Sequence, residues 1–180
     1  MDGSNSIHHS NFTLMKKFMM DVVNSFRVGP SHLQVGVVQF CSKPEDIRQE
    51  FYLNTYTNTE DILNKIHEIQ QIDQGNSIAA GLNFSKASFL PEHGGRRGKK
   101  VLLLFTDGES KEENAPAVAD ELRAMGIEIF VIGIGRIDTD NLYKIGHREP
   151  FIINEFSKLN LLLAKLVYNM PCGAGESTGE

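Results

Sequence analysis

No apolar stretch in this 180-residue sequence approaches the roughly 18 residues that a transmembrane helix requires, so no membrane span is expected. Nor does the N-terminus show a charged leader followed by an apolar run. It therefore reads as having no secretory signal, which would leave the chain, taken as complete, in the cytosol. Cysteine is scarce, with only Cys41 and Cys172. Cys41 ends a strand and Cys172 follows the last helix, which in a doubly wound sheet puts them on opposite rims, beyond the roughly 7 Å Cα separation that a disulfide tolerates. No internal bridge is expected, and Cys172 is either free or paired with another module. No Cys/His spacing suggests zinc. Neither charge sign dominates, with 18 Lys and Arg against 23 Asp and Glu for a net charge of −5, and their mixing along the chain argues against a nucleic-acid surface. The one basic cluster, Arg96-Arg97-Gly98-Lys99-Lys100, reads as a solvated turn before a strand.

The fingerprints of catalysis are missing too. Gly133-Ile134-Gly135-Arg136 lacks the third glycine and the downstream acid of a dinucleotide loop, and no Gly-rich loop carries the lysine that phosphoryl transfer needs. A hydrolase would have to draw on His8, His9 and Ser6, but no nucleophile-elbow spacing or Cys/His pairing accompanies them. The expectation is a protein that is not an enzyme.

What the sequence does contain is a regular alternation of helical and extended patterns. Met15, Phe18, Met19, Val22 and Phe26 recur at helical spacing after a start at Ser10-Asn11, and Gly29-Pro30 stops that helix. Leu33 to Phe40 reads as a buried strand, followed by a short strand from Glu50 to Leu53 in a hairpin, hence one antiparallel edge. Thr59 opens a helix with the stripe Ile62, Ile66 and Ile69, and Ile78-Ala79-Ala80-Gly81-Leu82 begins another. Val101 to Thr106 is a near-continuous apolar run, as in a parallel strand covered on both faces. A helix from Glu112 to Met125, a strand from Ile127 to Ile132, a short helix from Thr139 to Ile145, a strand from Phe151 to Ile153 and a helix through Leu161 to Tyr168 complete the series. This pattern predicts an α/β fold with a doubly wound, mostly parallel sheet, helices on both faces and one antiparallel edge strand. Residues 1–171 form the domain, and the Gly/Ser/Glu-rich segment 172–180 reads as a linker.

In such sheets ligands gather at the carboxyl ends of the strands, and three polar loops converge there. Asp2-Gly3-Ser4-Asn5-Ser6 offers a carboxylate and two hydroxyls, Gly75-Asn76-Ser77 lies in a second loop, and Asp107 closes the run Val101 to Thr106. These are hard oxygen donors of the kind that hold Mg²⁺ through one or two carboxylates while leaving room for a partner's ligand. Their order and setting resemble the metal-ion-dependent adhesion site of the von Willebrand factor A domain family, and the resemblance extends over nearly the whole chain. Gln34-Val35-Gly36-Val37-Val38-Gln39-Phe40, Glu50-Phe51-Tyr52-Leu53 and Val131-Ile132-Gly133-Ile134-Gly135 are most similar to the tandem A domains of collagen VI α chains.

The resemblance implies a Mg²⁺ or Mn²⁺ ion held by Asp2, Ser4 and Ser6, with Asp107 acting through water and Asn76 standing where the family pattern has a threonine. An amide oxygen is longer and differently placed than a threonine hydroxyl, so weaker metal binding is implied. In the family an apolar central strand runs directly into Asp-x-Ser-x-Ser, whereas here Met1 immediately precedes Asp2. The fold is therefore expected to lack its first central strand, to leave two strand edges unpaired and to be marginally stable. The α-amino group, titrating near 8, would place a positive charge beside the cation. Implied partners are proteins presenting Glu or Asp, such as collagen or other matrix proteins, and further A domains, in an extracellular matrix setting. A degenerate, metal-free module that binds through other surfaces is the alternative. Two sequons, at Asn11 and Asn83, are possible glycosylation sites, each inside an expected helix.

Overall fold

The computed structural model describes residues 1–108, 114–135, 137, 139–146 and 148–170. In chain order the elements are α1 (His9–Asn24), β1 (Val37–Gln39), β2 (Arg48–Phe51), α2 (Thr59–Glu68), α3 (Ile78–Ser85), β3 (Lys100–Thr106), α4 (Ala115–Ala124), β4 (Ile127–Ile134), α5 (Thr139–Ile145), β5 (Phe151–Ile153) and α6 (Leu163–Asn169). Helix starts follow local chemistry. Asn58 caps α2 by accepting from the Asp61 N–H, and Ser77 caps α3 by accepting from the Ala80 N–H. Helix α1 begins earlier than Ser10, because the His8 ring accepts from the Ser10 N–H and serves as the cap.

β3, β4 and β5 form a parallel ladder with Lys100 opposite Ile127 and Ile132 opposite Phe151. The two faces of β4 feed separate cores. Phe130, Ile132 and Ile134 pack with Phe12, Met15 and Phe18 of α1, Ile62 and Ile66 of α2, and Leu166 of α6. Ile127, Ile129 and Val131 pack with Leu82 of α3, Ala119 and Leu122 of α4, and Leu142 of α5. Burial on both faces is why β4 is continuously apolar from Ile129 to Ile132 and not alternating, with half-buried Glu128 near its start. β1 and β2 form the expected antiparallel hairpin.

Two expectations change. The strand read from Leu33 to Phe40 is regular only over Val37–Gln39, because β2 pairs no farther back than Phe51. Val101, Leu102 and Leu103 are half-buried instead of covered, because the edge of β3 opposite β4 faces a cavity of about 860 Å³. β1–β2 and β3–β4–β5 are separate ladders among the described residues. They are linked through residues 1–3, which lie between them. The Met1 amine donates to Val38 O at 2.7 Å, Phe40 N donates to Met1 O at 3.0 Å, Gly3 N donates to Phe40 O at 3.0 Å, and Asp2 N donates to Phe105 O at 3.0 Å. The cavity continues this line on the far side of Met1, between the facing edges of β1 and β3.

Cys41 is a buried free thiol, while Cys172 and the tail 172–180 lie outside the described residues, as do Glu112 and Glu113 of the expected fourth helix. Among the described residues no helix is long and apolar enough to cross a membrane.

Candidate metal centre

Asp2 enters the site from a strand-like position, fixed on both sides by backbone hydrogen bonds. Its carboxylate is fully buried and tied down three ways. Oδ1 accepts the Ser4 N–H at 3.0 Å, and Oδ2 accepts both the Thr106 hydroxyl at 3.0 Å and an Asn76 Nδ2–H at 2.7 Å. Ser4 is also fully buried, and its hydroxyl meets that of exposed Ser6 at 2.9 Å. Asp107 follows β3 directly and is half-buried. Of the expected set, Asp2, Ser4, Ser6 and Asn76 thus form one hydrogen-bonded chain, and Asp107 acts on Asp2 through its charge.

Burial is the larger cause that pushes the Asp2 carboxyl up to about 6, and the Asp107 charge pushes the same way against the hydrogen bonds from Ser4 and Thr106. Burial also pulls the Met1 amine down to about 5, against the opposing attraction of Asp2 and Glu50. This corrects the expected repulsion: at pH 7 the amine is largely neutral and places little positive charge beside the site. The loss of amine hydration, which outweighs the neighbouring carboxylates, is the reason.

The donor chemistry suits a hard cation. Asn76 Oδ1 is buried without a hydrogen-bond partner among the described residues, an arrangement that costs free energy until a donor or cation meets it. Together with two carboxylates and two hydroxyls this gives an oxygen-only set that fits Mg²⁺ or Mn²⁺. No group of three or more His, Cys, Asp or Glu gathers among the described residues, so carboxylates alone do not make the site. The Asn76 amide, however, now donates to Asp2, and the Asn76 side chain would have to turn for its oxygen to serve as a ligand.

Residues outside the expected set hold the loops in place. The Gln39 side chain is fully buried, accepts the Ile72 N–H at 2.8 Å, and donates to Glu50 Oε1 and Gln70 O at 2.9 Å each. It lies so close to residue 3 that a Cβ there would sit 2.1 Å from Gln39 Oε1, which is why Gly3 separates the two ligand positions. Gln71 Nε2 donates to Ser4 O and Ile7 O at 2.9 and 2.8 Å, binding the second loop to the first. Asp73 takes a left-handed φ of 60° while its N–H donates to Gly3 O at 2.8 Å, a conformation that Asp tolerates better than most residues. Thr106 joins Asp2 to the third loop, since its hydroxyl also accepts the Gly108 N–H at 3.0 Å. A lone glutamine in Val37-Val38-Gln39-Phe40 was the visible signal for Gln39. Gln71 and Thr106 had none.

Both sequons fall in helices as expected. Asn11 is half-buried in α1, and Asn83 is exposed in α3, where its Oδ1 accepts from Lys86 Nζ at 2.9 Å. In the basic cluster, Arg96 donates to the Pro30 and His32 carbonyls.

Comparison with known proteins matches residues 1–165 to the model of the von Willebrand factor type A domain family. The mouse collagen α-6(VI) chain is 38% identical over 182 residues, covering 98% of this chain and 8% of that one. Human matrilin-1 is 32% identical over 173 residues, covering 92% of this chain and 34% of that one. This chain thus spans a small part of the curated relatives it matches. Among solved structures, proximal thread matrix protein 1 of the mussel byssus superposes with a TM-score of 0.86 at 33% identity, over 96% of this chain and 46% of that chain. A form of that protein with its metal-ion-dependent adhesion motif occupied by zinc superposes with a TM-score of 0.85 at 30% identity, over the same shares of the two chains.

Proposed function

The chain belongs to the von Willebrand factor type A domain family, and from that premise we propose that it is a non-catalytic adhesion module that docks an acidic side chain of a protein partner through Mg²⁺ or Mn²⁺. Asp2, Ser4 and Ser6 would hold the ion, with Asp107 through water and Asn76 through its amide oxygen. The observation that carries this reading is the buried, partnerless Asn76 Oδ1 beside an Asp2 carboxylate whose proton affinity is raised. A cation would satisfy the first and displace the proton from the second. The partner's Glu or Asp would complete the shell, giving a bond that depends on both charge and geometry.

Relatives named as collagen VI and matrilin chains support an extracellular matrix setting, with collagen, other matrix proteins or further A domains as partners. Divalent-dependent capture tests the proposal. Binding of a Glu-bearing collagen peptide should require Mg²⁺ or Mn²⁺, vanish with chelator and vanish in Asp107→Ala; binding that survives both would overturn it.

A second reading has its own observation. The 2.7 Å bond from Asn76 Nδ2 to Asp2 Oδ2 neutralises part of the carboxylate without any ion, which supports a metal-free module that binds partners through its other surfaces. Failure of Mn²⁺ to bind a well-folded chain would favour it.

A further inference from the structure

Gln39 ends β1, and its fully buried side chain uses both hydrogens and the oxygen of its amide. Nε2 donates to Glu50 Oε1 and to Gln70 O at 2.9 Å each, and Oε1 accepts the Ile72 N–H at 2.8 Å. Turned over, the amide would set its NH₂ against the Ile72 N–H and its oxygen against the Glu50 carboxylate and the Gln70 carbonyl, so its orientation is fixed. Glu50 reaches this place because Gln39 lies opposite Arg48 in the β1–β2 pair, which puts residue 50, two positions on, on the same face as Gln39.

The amide bears on two ligand loops. Gln39 Oε1 packs against Gly3, between Asp2 and Ser4, and holds Ile72 next to Asp73, whose N–H donates to Gly3 O at 2.8 Å. Gln74 O accepts the Asn5 N–H at 2.7 Å, and Gly75 then leads to Asn76. The Gln39 amide is thus the spacer between the loop of Asp2 and Ser4 and the loop of Asn76, and Glu50 keeps that spacer in place.

We infer that Gln39 and Glu50, neither of them a ligand, are positioning residues that select the cation: they hold the two loops at the separation a small octahedral ion requires and so favour Mg²⁺ over Ca²⁺. This rests on the metal-dependent reading of the site. Mg²⁺ demands near-ideal octahedral geometry at about 2.0–2.1 Å, whereas Ca²⁺ accepts irregular shells at about 2.3–2.6 Å. Loops freed to drift apart therefore lose Mg²⁺ first. Groups that support ligands from behind commonly change metal affinity by about 10–100-fold.

The test is calorimetric titration of Mg²⁺ and of Ca²⁺ into the wild-type chain and four variants. Gln39→Leu removes the amide at similar volume and Glu50→Ala removes its anchor; each should lower Mg²⁺ affinity by about 10-fold or more and Ca²⁺ affinity by no more than about 3-fold. Glu50→Gln keeps an acceptor for Gln39 without the charge, and should stay within about 3-fold of wild type for both ions, which a long-range charge effect would not allow. Gln49→Leu breaks side-chain bonds to Val37 O, Phe51 O and the Ser88 hydroxyl on the other face of the hairpin. It should lower stability and leave both affinities alone. Glu50 is half-buried, so its variants keep the fold even where Gln39→Leu does not. Amide exchange at Ile72 should quicken in Glu50→Ala and not in Glu50→Gln, with or without metal. Equal losses of Mg²⁺ and Ca²⁺, a Glu50→Gln as damaged as Glu50→Ala, or a loss of preference in Gln49→Leu would overturn the inference. A wild-type chain that binds neither ion would overturn the metal-dependent reading and this inference with it. Wild-type preference for Mg²⁺ that the variants keep would overturn this inference alone.

Discussion

Asn76 donates an amide N–H to Asp2 Oδ2 across 2.7 Å while its own Oδ1 stays buried and unpartnered. The residue that closes the site is thus the one carrying an unmet demand for a positive charge or a donor. Asn76→Thr would exchange this long amide for a short hydroxyl and leave the Asp2 carboxylate less encumbered. Mn²⁺ affinity should rise about 10-fold, equivalent to ~1.4 kcal/mol, measurable by calorimetric titration of the two proteins. Unchanged or weaker binding would show that Asn76 does not limit the site.

Asp2→Asn separates the stability role of the carboxylate from its ligand role. The folded carboxyl titrates near 6, above its ordinary value of 3.8, so above pH 6 the buried charge costs on the order of 3 kcal/mol at about 1.4 per unit. The amide variant should melt no lower than wild type at pH 7.5 without metal, and should lose metal-induced stabilisation entirely. A large drop in its melting temperature would mean that the charged carboxylate holds the loops.

The two buried terminal groups give stability a pH profile of definite sign. Asp2, raised from 3.8 to about 6, keeps its proton longer in the folded state, so its contribution is lost as pH rises from about 4 to 6. The Met1 amine, lowered from 8.0 to about 5, sheds its proton earlier in the folded state, so its contribution grows as pH rises from about 5 to 8. From these groups stability should climb between pH 6 and 8. Acetylating the N-terminus should flatten that climb in thermal melts recorded across the range. Metal affinity should fall below pH 6, where a proton competes for Asp2.

The cavity beside β3 predicts unequal costs for core truncations. Leu103, half-buried beside it, should lose only ~1 kcal/mol on change to Ala, whereas Phe130, buried on the covered strand, should lose about 3–5 kcal/mol. Urea denaturation of both variants checks this, and equal losses would mean that the cavity is closed in solution.

Much of this architecture was legible in the residues. The apolar runs of β3 and β4, the stripe Ile62, Ile66 and Ile69 and the elements Thr139–Ile145 and Phe151–Ile153 stand where periodicity and capping placed them. The convergence of Asp2, Ser4, Ser6 and Asn76 followed from strand order and motif. What stayed hidden depends on partners distant in sequence. Gln71 looks like any surface glutamine until Ser4 and Ile7 turn their carbonyls toward it. The Met1 amine looks like an ordinary charged terminus until burial between two sheet edges makes its charge costly. The length of the strand before Phe40 likewise depended on where β2 stops pairing.

The central claim is that this rim holds one divalent ion, and calorimetric titration of Mn²⁺ into the chain at pH 7.5, beside Asp2→Asn and Asp107→Ala, tests it most directly. The account predicts saturable binding of one ion per chain that both substitutions abolish. Absence of binding by a chain that melts cooperatively, or heats unchanged in the two variants, would contradict it.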